Sequence, residues 1–365
     1  MIWIGSDFDG RDALNIRIRF TDQPPDFNPE NNVYTRALQR IGAVEFCDHP
    51  DFVFYGAFGT QFLSYPDSVR IFLANEPVLP NFNDCDYAIG AMKLSFGERY
   101  FRQPPLLGFG EIDYEPMLRP DRRQIPENAV SRRFCNFVYA NGNCGSGAVL
   151  RVQFCRRLSA YRRVDCPGTV LNNMSGAVHP RYEDKRARSR GLVGTEWAVD
   201  KLAFLRNYKF TIAFENTSLP GFTTEKLLHP LMACSIPIYW GNPDVTEYFN
   251  PKAFINCHDY ENDWDAVAAR VRELDRDPEQ YLEMLRQPPL QVNFPVDWEE
   301  GLACFLSGIV RRGRCPFDKN PIGFASMGAQ DLGGLCRSGK AGLCKILQNT
   351  ADGLKGWLDY KIHHL

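Results

Sequence analysis

The sequence predicts an α/β protein made of two successive doubly wound units facing each other across a cleft. Three observations carry that expectation. Over the first part of the chain, short apolar runs alternate with helical stripes, the pattern of an open sheet wound with helices. Residues 113–133 (DYEPMLRPDRRQIPENAVSRR) then hold three prolines, many charges and little apolar periodicity, as an interdomain connection would. A second strand–helix alternation follows at once. With 365 residues, 44% of them hydrophobic and 24% charged, the chain is long enough for two cores of ordinary size.

The elements follow in order. Residues 15–20, 52–55, 70–73 and 86–90 read as strands, and 32–41 carries a helical stripe of Val33, Ala37 and Ile41. In the second unit 136–140 reads as a strand, and a Gly/Asn-rich turn leads to Ser146 as N-cap. Leu150, Phe154, Leu158 and Tyr161 then share one helical face. Residues 196–208 read as helix, 209–214 as strand, 224–234 as helix and 236–240 as strand. Pro230 falls inside the third of these and is expected to kink it. A helix over 263–275 places Trp264, Val267, Val271 and Leu274 together, and the next starts at Pro278 with Asp277 as cap. The expected division is residues 1–125, residues 134–312, and a tail from 313 to 365. The tail is rich in Gly and Lys, and only 346–362 is amphipathic. A helix docking on the body and a helix lying on a membrane surface both fit that segment.

Several classes are disfavoured. A formal net charge of −2 gives no overall basic field for nucleic acid, although a local basic site for a small anion remains open. No run of about 18 apolar residues occurs. MIWIGSDFDG lacks a basic n-region and a long apolar stretch, so no signal peptide is read there, and a cytoplasmic location is expected. The tail would then be the route to any peripheral contact with the inner face of a membrane. The twelve cysteines include no C-x₂₋₄-C pair and are expected to be reduced thiols. Three D-x-D triplets (starting at Asp7, Asp84 and Asp275) show how little that pattern discriminates, and the histidines are scattered; no metal site is expected. The sequons at Asn173 and Asn216 read as accidental.

One stretch is dense in chemistry. A strand ending at Phe214 runs into Glu215-Asn216, then a Pro220-Gly221 turn, then Thr223-Thr224-Glu225-Lys226 opening a helix. Ligand sites of open α/β sheets lie at such strand ends, where helix N-termini present amide donors. In a first helical turn the dipole favours negative charge, so Lys226 is locally unfavourable unless an anion sits before it. Read alone, it is equally a solvated surface lysine, and Arg151 an ordinary helix-surface arginine.

The whole string FENTSLPGFTTEKLLHPLMACSIPIYWGNP resembles the signature of glycosyltransferase family 10, the α1,3-fucosyltransferases, its bacterial members above all. NEPVLPNFNDCDYAIG, RYFRQPPLL, NFVYAN, VDCPGTVLNN and NPKAFINCHDY are similar to segments of the same enzymes, so the likeness runs over residues 65–300. The resemblance implies a GT-B architecture of two Rossmann-like domains, the N-terminal one for the acceptor and the C-terminal one for GDP-fucose. It also implies inverting transfer of L-fucose without a metal in the chemical step, and no cofactor beyond the donor. The acceptor it implies is the 3-hydroxyl of N-acetylglucosamine, or a similar residue, in a galactose-containing oligosaccharide. Carried over by position, Lys226 and Arg151 meet the donor phosphates, and Glu225 its sugar or ribose hydroxyls. Asn216 is the donor-side asparagine, and Glu76 in Leu73-Ala74-Asn75-Glu76-Pro77 is the general base. Phe222 stands where the family often has tyrosine, keeping an aromatic donor wall but losing a hydroxyl. That loss leaves open a relative using another nucleotide sugar, and a glycan-binding protein with a decayed site is the third reading. Linkage, acceptor and oligomeric state are not legible.

Overall fold

The computed structural model describes residues 14–24, 27–103, 117, 124–142, 145–175, 195–295 and 297–314, with backbone only for 195–199. Among these, two parallel sheets form. The first has six strands: β1 (Asn15–Thr21), β2 (Ala43–Phe46), β3 (Phe52–Tyr55), β4 (Val69–Ala74), β5 (Tyr87–Gly90) and β6 (Tyr100–Arg102), in the order β2-β1-β3-β4-β5-β6. The second has β7 (Arg133–Asn136), β8 (Val164–Asp165), β9 (Tyr208–Phe214), β10 (Ile236–Trp240) and β11 (Ile255–Asn256), in the order β11-β10-β9-β7-β8. Seven helices accompany them: α1 (Val33–Gln39), α2 (Ser146–Ser159), α3 (Thr195–Leu205), α4 (Glu225–Met232), α5 (Trp264–Arg276), α6 (Pro278–Arg286) and α7 (Trp298–Arg312).

The central strands read as largely apolar runs because both faces are covered: every residue of β3, β5, β9 and β10 is buried. The unpredicted strands β2, β6, β8 and β11 are two to four residues long, too short to show a period, and β2 is largely exposed. β7 begins at Arg133 rather than at 136. Phe137 and Tyr139 are apolar because they plug the core beyond the ladder, not because they belong to it. α5 and α6 start as their caps dictate: Asp263 accepts from the amides of Asp265 and Ala266, and Asp277 from those of Glu279 and Gln280. α4 ends two residues after Pro230, at Met232.

The expected boundary at 312 does not match the packing. Trp298, Leu302, Leu306 and Ile309 of α7 belong to the same apolar cluster as α1 and the first sheet. The chain therefore crosses back, and the core of the second unit is completed by α5 and α6 instead. Sequence order cannot say which core an amphipathic helix will join. The tail segment 346–362 lies outside the described residues, and no helix among those described is long and apolar enough to cross a membrane.

The two units meet at the carboxyl edges of their sheets. Lys93, after β5, donates its amide to Pro220 O at 2.9 Å. Its ammonium pairs with Asp244 (3.3 Å) and Glu247 (3.5 Å), while Arg102 binds Glu247 through two bonds of 2.9 and 3.0 Å. Gly221 is the tightest point, with φ +83° and an added Cβ that would lie 2.6 Å from Lys93 N and 2.7 Å from Ala91 O. Gly221→Ala is therefore expected to cost about 2–3 kcal/mol, from left-handed strain plus the backbone clash. Differential scanning calorimetry should show Tm lower by about 5–10 °C, and an unchanged Tm would contradict this account of the junction.

Candidate active site

The site grows from the end of β9. Glu215 follows the buried strand and is itself fully buried; its carboxylate accepts from Thr224 N and Thr224 Oγ1, each at 2.7 Å. These bonds fasten the N-cap of α4 to the strand end, so the two residues after the cap have fixed positions. Lys226 Nζ donates to Thr224 Oγ1 (3.0 Å) and Glu225 Oε1 (3.4 Å), and lies 3.5 Å from Glu215 Oε2. Burial pushes the Lys226 pKa down, but Glu225 and Glu215 outweigh it and hold it above the ordinary value. Burial likewise pushes Glu225 up, but Lys226, Lys201 and His229 outweigh it and bring it to about 2. Glu215 is raised, chiefly by burial. The lysine disfavoured by its own helix is thus stabilised by two carboxylates, one of which the linear sequence leaves looking like an ordinary strand end.

Arg151 and Asn216 form the neighbouring part. α2 begins hard against the end of β9: Gly147 N donates to Asn216 O at 3.0 Å, and a Cβ on Gly147 would lie 2.0 Å from Glu215 O. That close approach brings Arg151, one turn on, to Asn216 Oδ1 at 2.8 Å and to the carbonyl of Asn141. Its guanidinium lies 4.1 Å from the centre of the Tyr139 ring. Arg151 is only 1% exposed, far from the surface arginine its isolated position suggests. Ser146 starts the helix instead of capping it; Gly145 holds the cap position.

Glu76 comes from the other unit, just past β4. It is half-buried, and burial raises its pKa, while across the domain junction the charge of Lys226 lowers it and that of Glu225 raises it. Its carboxylate makes no hydrogen bond or ion pair among the described residues.

Phe222 goes elsewhere. Its ring is 4% exposed and belongs to an apolar cluster of N-terminal residues that includes Tyr55, Phe72, Met92 and Tyr100. The ring expected to wall the donor site thus packs as a wedge at the domain junction, because the turn at Gly221 aims it into the first unit. Asn242 holds that turn, accepting from Gly221 N at 2.7 Å and donating to Thr223 Oγ1 at 3.1 Å.

Sequence reasoning missed Glu215, Asn242, Lys201 and His229. Glu215, His229 and Asn242 stand in the motif string, and a charge closing a largely apolar strand was the available signal for Glu215. Lys201 on α3 and His229 on α4 are buried, and burial lowers both, to about 8 and about 3. Nothing local to Lys201 marks it. The D-x-D residues among those described have structural work: Asp86 accepts from Arg70 N, Asp275 pairs with Lys209 at 2.8 Å, and Asp277 caps α6. Asp7 and Asp9 lie outside the described residues. No cluster of three or more metal-ligating side chains occurs among the described residues.

The chain is similar to known proteins. Residues 18–109 match the family profile of the α-(1,3)-fucosyltransferase FucT N-terminal domain, and residues 131–304 that of the glycosyltransferase family 10 (fucosyltransferase) C-terminal part. The chain is 30% identical over 273 residues to the α-(1,3)-fucosyltransferase FucT of Helicobacter pylori, covering 66% of this chain and 52% of that one. It thus spans about half the length of that relative. Crystal structures of an α1,3-fucosyltransferase with GDP and with GDP-fucose superpose with TM-scores of 0.63 and 0.64, at 24% and 23% identity. They cover 86% and 85% of this chain, and 94% of each matched chain. The fold is accordingly the GT-B architecture, and the chain belongs to glycosyltransferase family 10, the fucosyltransferases.

Proposed function

We propose that the protein transfers L-fucose from GDP-fucose, with inversion, to the 3-hydroxyl of an N-acetylglucosamine-type residue in a galactose-containing glycan. The observation that carries this reading is the buried Glu215–Thr224–Lys226–Glu225 cluster, with Arg151–Asn216 beside it and Glu76 across the domain junction. A nucleoside diphosphate leaving group needs fixed cations, and Lys226 and Arg151 are held by neighbours instead of roaming in solvent. Glu76 accepts the proton of the acceptor hydroxyl as its oxygen bonds to fucose C1. The bond from C1 to the diphosphate oxygen breaks, and GDP departs with the electron pair. A carboxylate raised by burial is the better proton acceptor for that step. Glu225 is assigned to donor hydroxyls, and its low pKa keeps it ionised as an acceptor of hydrogen bonds.

The test is a GDP-fucose assay against type 1 and type 2 disaccharides, with linkage and anomeric configuration read by NMR. α1,3-Linked fucose on N-acetylglucosamine is the expected product. Calorimetric titration with GDP-fucose, GDP-mannose and UDP-galactose should show binding of the first; preference for either of the others would overturn the donor assignment.

A further inference from the structure

Behind Glu76 the carboxyl edge of the first sheet holds a small polar knot in apolar surroundings. Tyr34, 3% exposed on α1, has its hydroxyl 3.1 Å from Asn75 Oδ1 and 3.3 Å from Gln103 Oε1. Gln103 Nε2 donates to the same Asn75 oxygen at 3.2 Å. Gln103 is also 3% exposed, and its amide is fixed to Gly90 O at 2.9 Å. Burial pushes the Tyr34 pKa up to about 12, so its hydroxyl stays protonated and remains a donor.

Asn75 is the residue immediately before Glu76. The backbone around it is tightly folded, with Asn75 N donating to Leu73 O at 3.0 Å and Val78 N to Glu76 O at 2.7 Å. Asn75 is otherwise exposed, yet two buried donors reach for its side-chain oxygen. Groups on α1 and after β6 therefore converge on one atom at the end of β4. Burying two polar side chains under a loop is unfavourable unless their bonds are made, so this knot specifies a single loop position. The Glu76 carboxylate has no bonded partner of its own among the described residues, and its aim rests on that backbone.

We infer that Asn75 is a positioning residue for Glu76, anchored by Tyr34 and Gln103. The inference rests on Glu76 being the base, as proposed above.

The test compares Asn75→Ala, Asn75→Asp and Tyr34→Phe with Glu76→Gln as reference. Asn75→Ala removes the shared acceptor, and kcat is expected to fall about 10- to 100-fold, the scale of a base displaced by about an ångström. The Kd for GDP-fucose, whose groups stand on the other domain, should stay within about twofold, as should the acceptor KM. Asn75→Asp keeps an acceptor for both donors, so kcat should recover to within about tenfold of wild type. It also adds a negative charge beside Glu76, which already faces Lys226 and Glu225 of α4, and the acid limb of the pH–rate profile should move to higher pH. A purely structural role would lower Tm without moving that limb.

Wild-type kcat in a folded Asn75→Ala protein would overturn the inference. Should that variant not fold, Tyr34→Phe takes its place, since it loses one donor and almost no volume; an unchanged kcat there overturns it equally. An unmoved acid limb in Asn75→Asp does the same. Wild-type kcat in Glu76→Gln would instead overturn the assignment of the base, so the two failures are separable.

Discussion

Replacing Glu76 with Gln is expected to lower kcat by about 10²–10⁴-fold, the usual contribution of a positioned general base. The Kd for GDP-fucose should change little, because the change is isosteric and the residues proposed to bind the donor stand on the second domain. The pH dependence gives a second readout. As the proposed base, Glu76 must be ionised for transfer, so the rate is expected to rise with pH through its pKa. Burial sets that pKa above the ordinary carboxylate value of 4.5, with Glu225 adding to the rise and Lys226 opposing it. The variant should lose this limb. A carboxyl whose folded pKa is raised costs stability once ionised, so Glu76→Gln should leave Tm unchanged or higher at neutral pH. Wild-type turnover in the variant, or an acid limb that persists, would contradict the assignment.

Replacing Lys226 with Ala is expected to have the larger combined effect. It removes the cation proposed for the diphosphate, and transfer should drop by at least about 10²–10³-fold through lost donor affinity and lost charge stabilisation. It also strands Glu225 and Glu215, and breaking such a buried pair costs about 3–5 kcal/mol. The double variant Lys226→Met with Glu225→Gln separates the two effects. Tm should recover in the double variant, while GDP-fucose binding measured by calorimetry should not. Recovery of binding would mean that Lys226 acts only by keeping the loop folded. The acid limb of stability is informative as well. Glu225 has a folded pKa of about 2 against an ordinary 4.5, so its contribution is fully present above 4.5. It is lost as pH falls through about 2, and this part of acid unfolding should flatten in Lys226→Ala.

Much of the strand–loop–helix proposed to hold the donor was readable because it is local. Strand end, turn, cap and first helical turn are contiguous from Phe214 to Lys226, and each obeys a short-range rule: apolar burial, glycine at the positive φ, threonine at the cap. Arg151 was placed on its helix by periodicity, but its burial against Tyr139 and Asn216 depends on a strand about 65 positions later. Phe222 shows the opposite outcome. Its aromatic character was evident, but its destination was set by the φ of Gly221 and by the surface that Lys93 and Met92 offer from the other domain.

The sequence by itself determined the two-unit α/β plan, the helix starts at Asp263 and Asp277, and the strand–loop–helix that presents Glu225 and Lys226. These follow from periods and caps within about 15 residues of one another. Only the tertiary structure decided that α7 returns to the first core and that Glu215 is the buried partner of Lys226. It alone set Glu76 in the field of Lys226 and Glu225, and gathered Tyr34 and Gln103 on Asn75. The reason is physical: a side chain's type and period specify which face it needs buried, while its partner is chosen by packing between elements far apart in the chain.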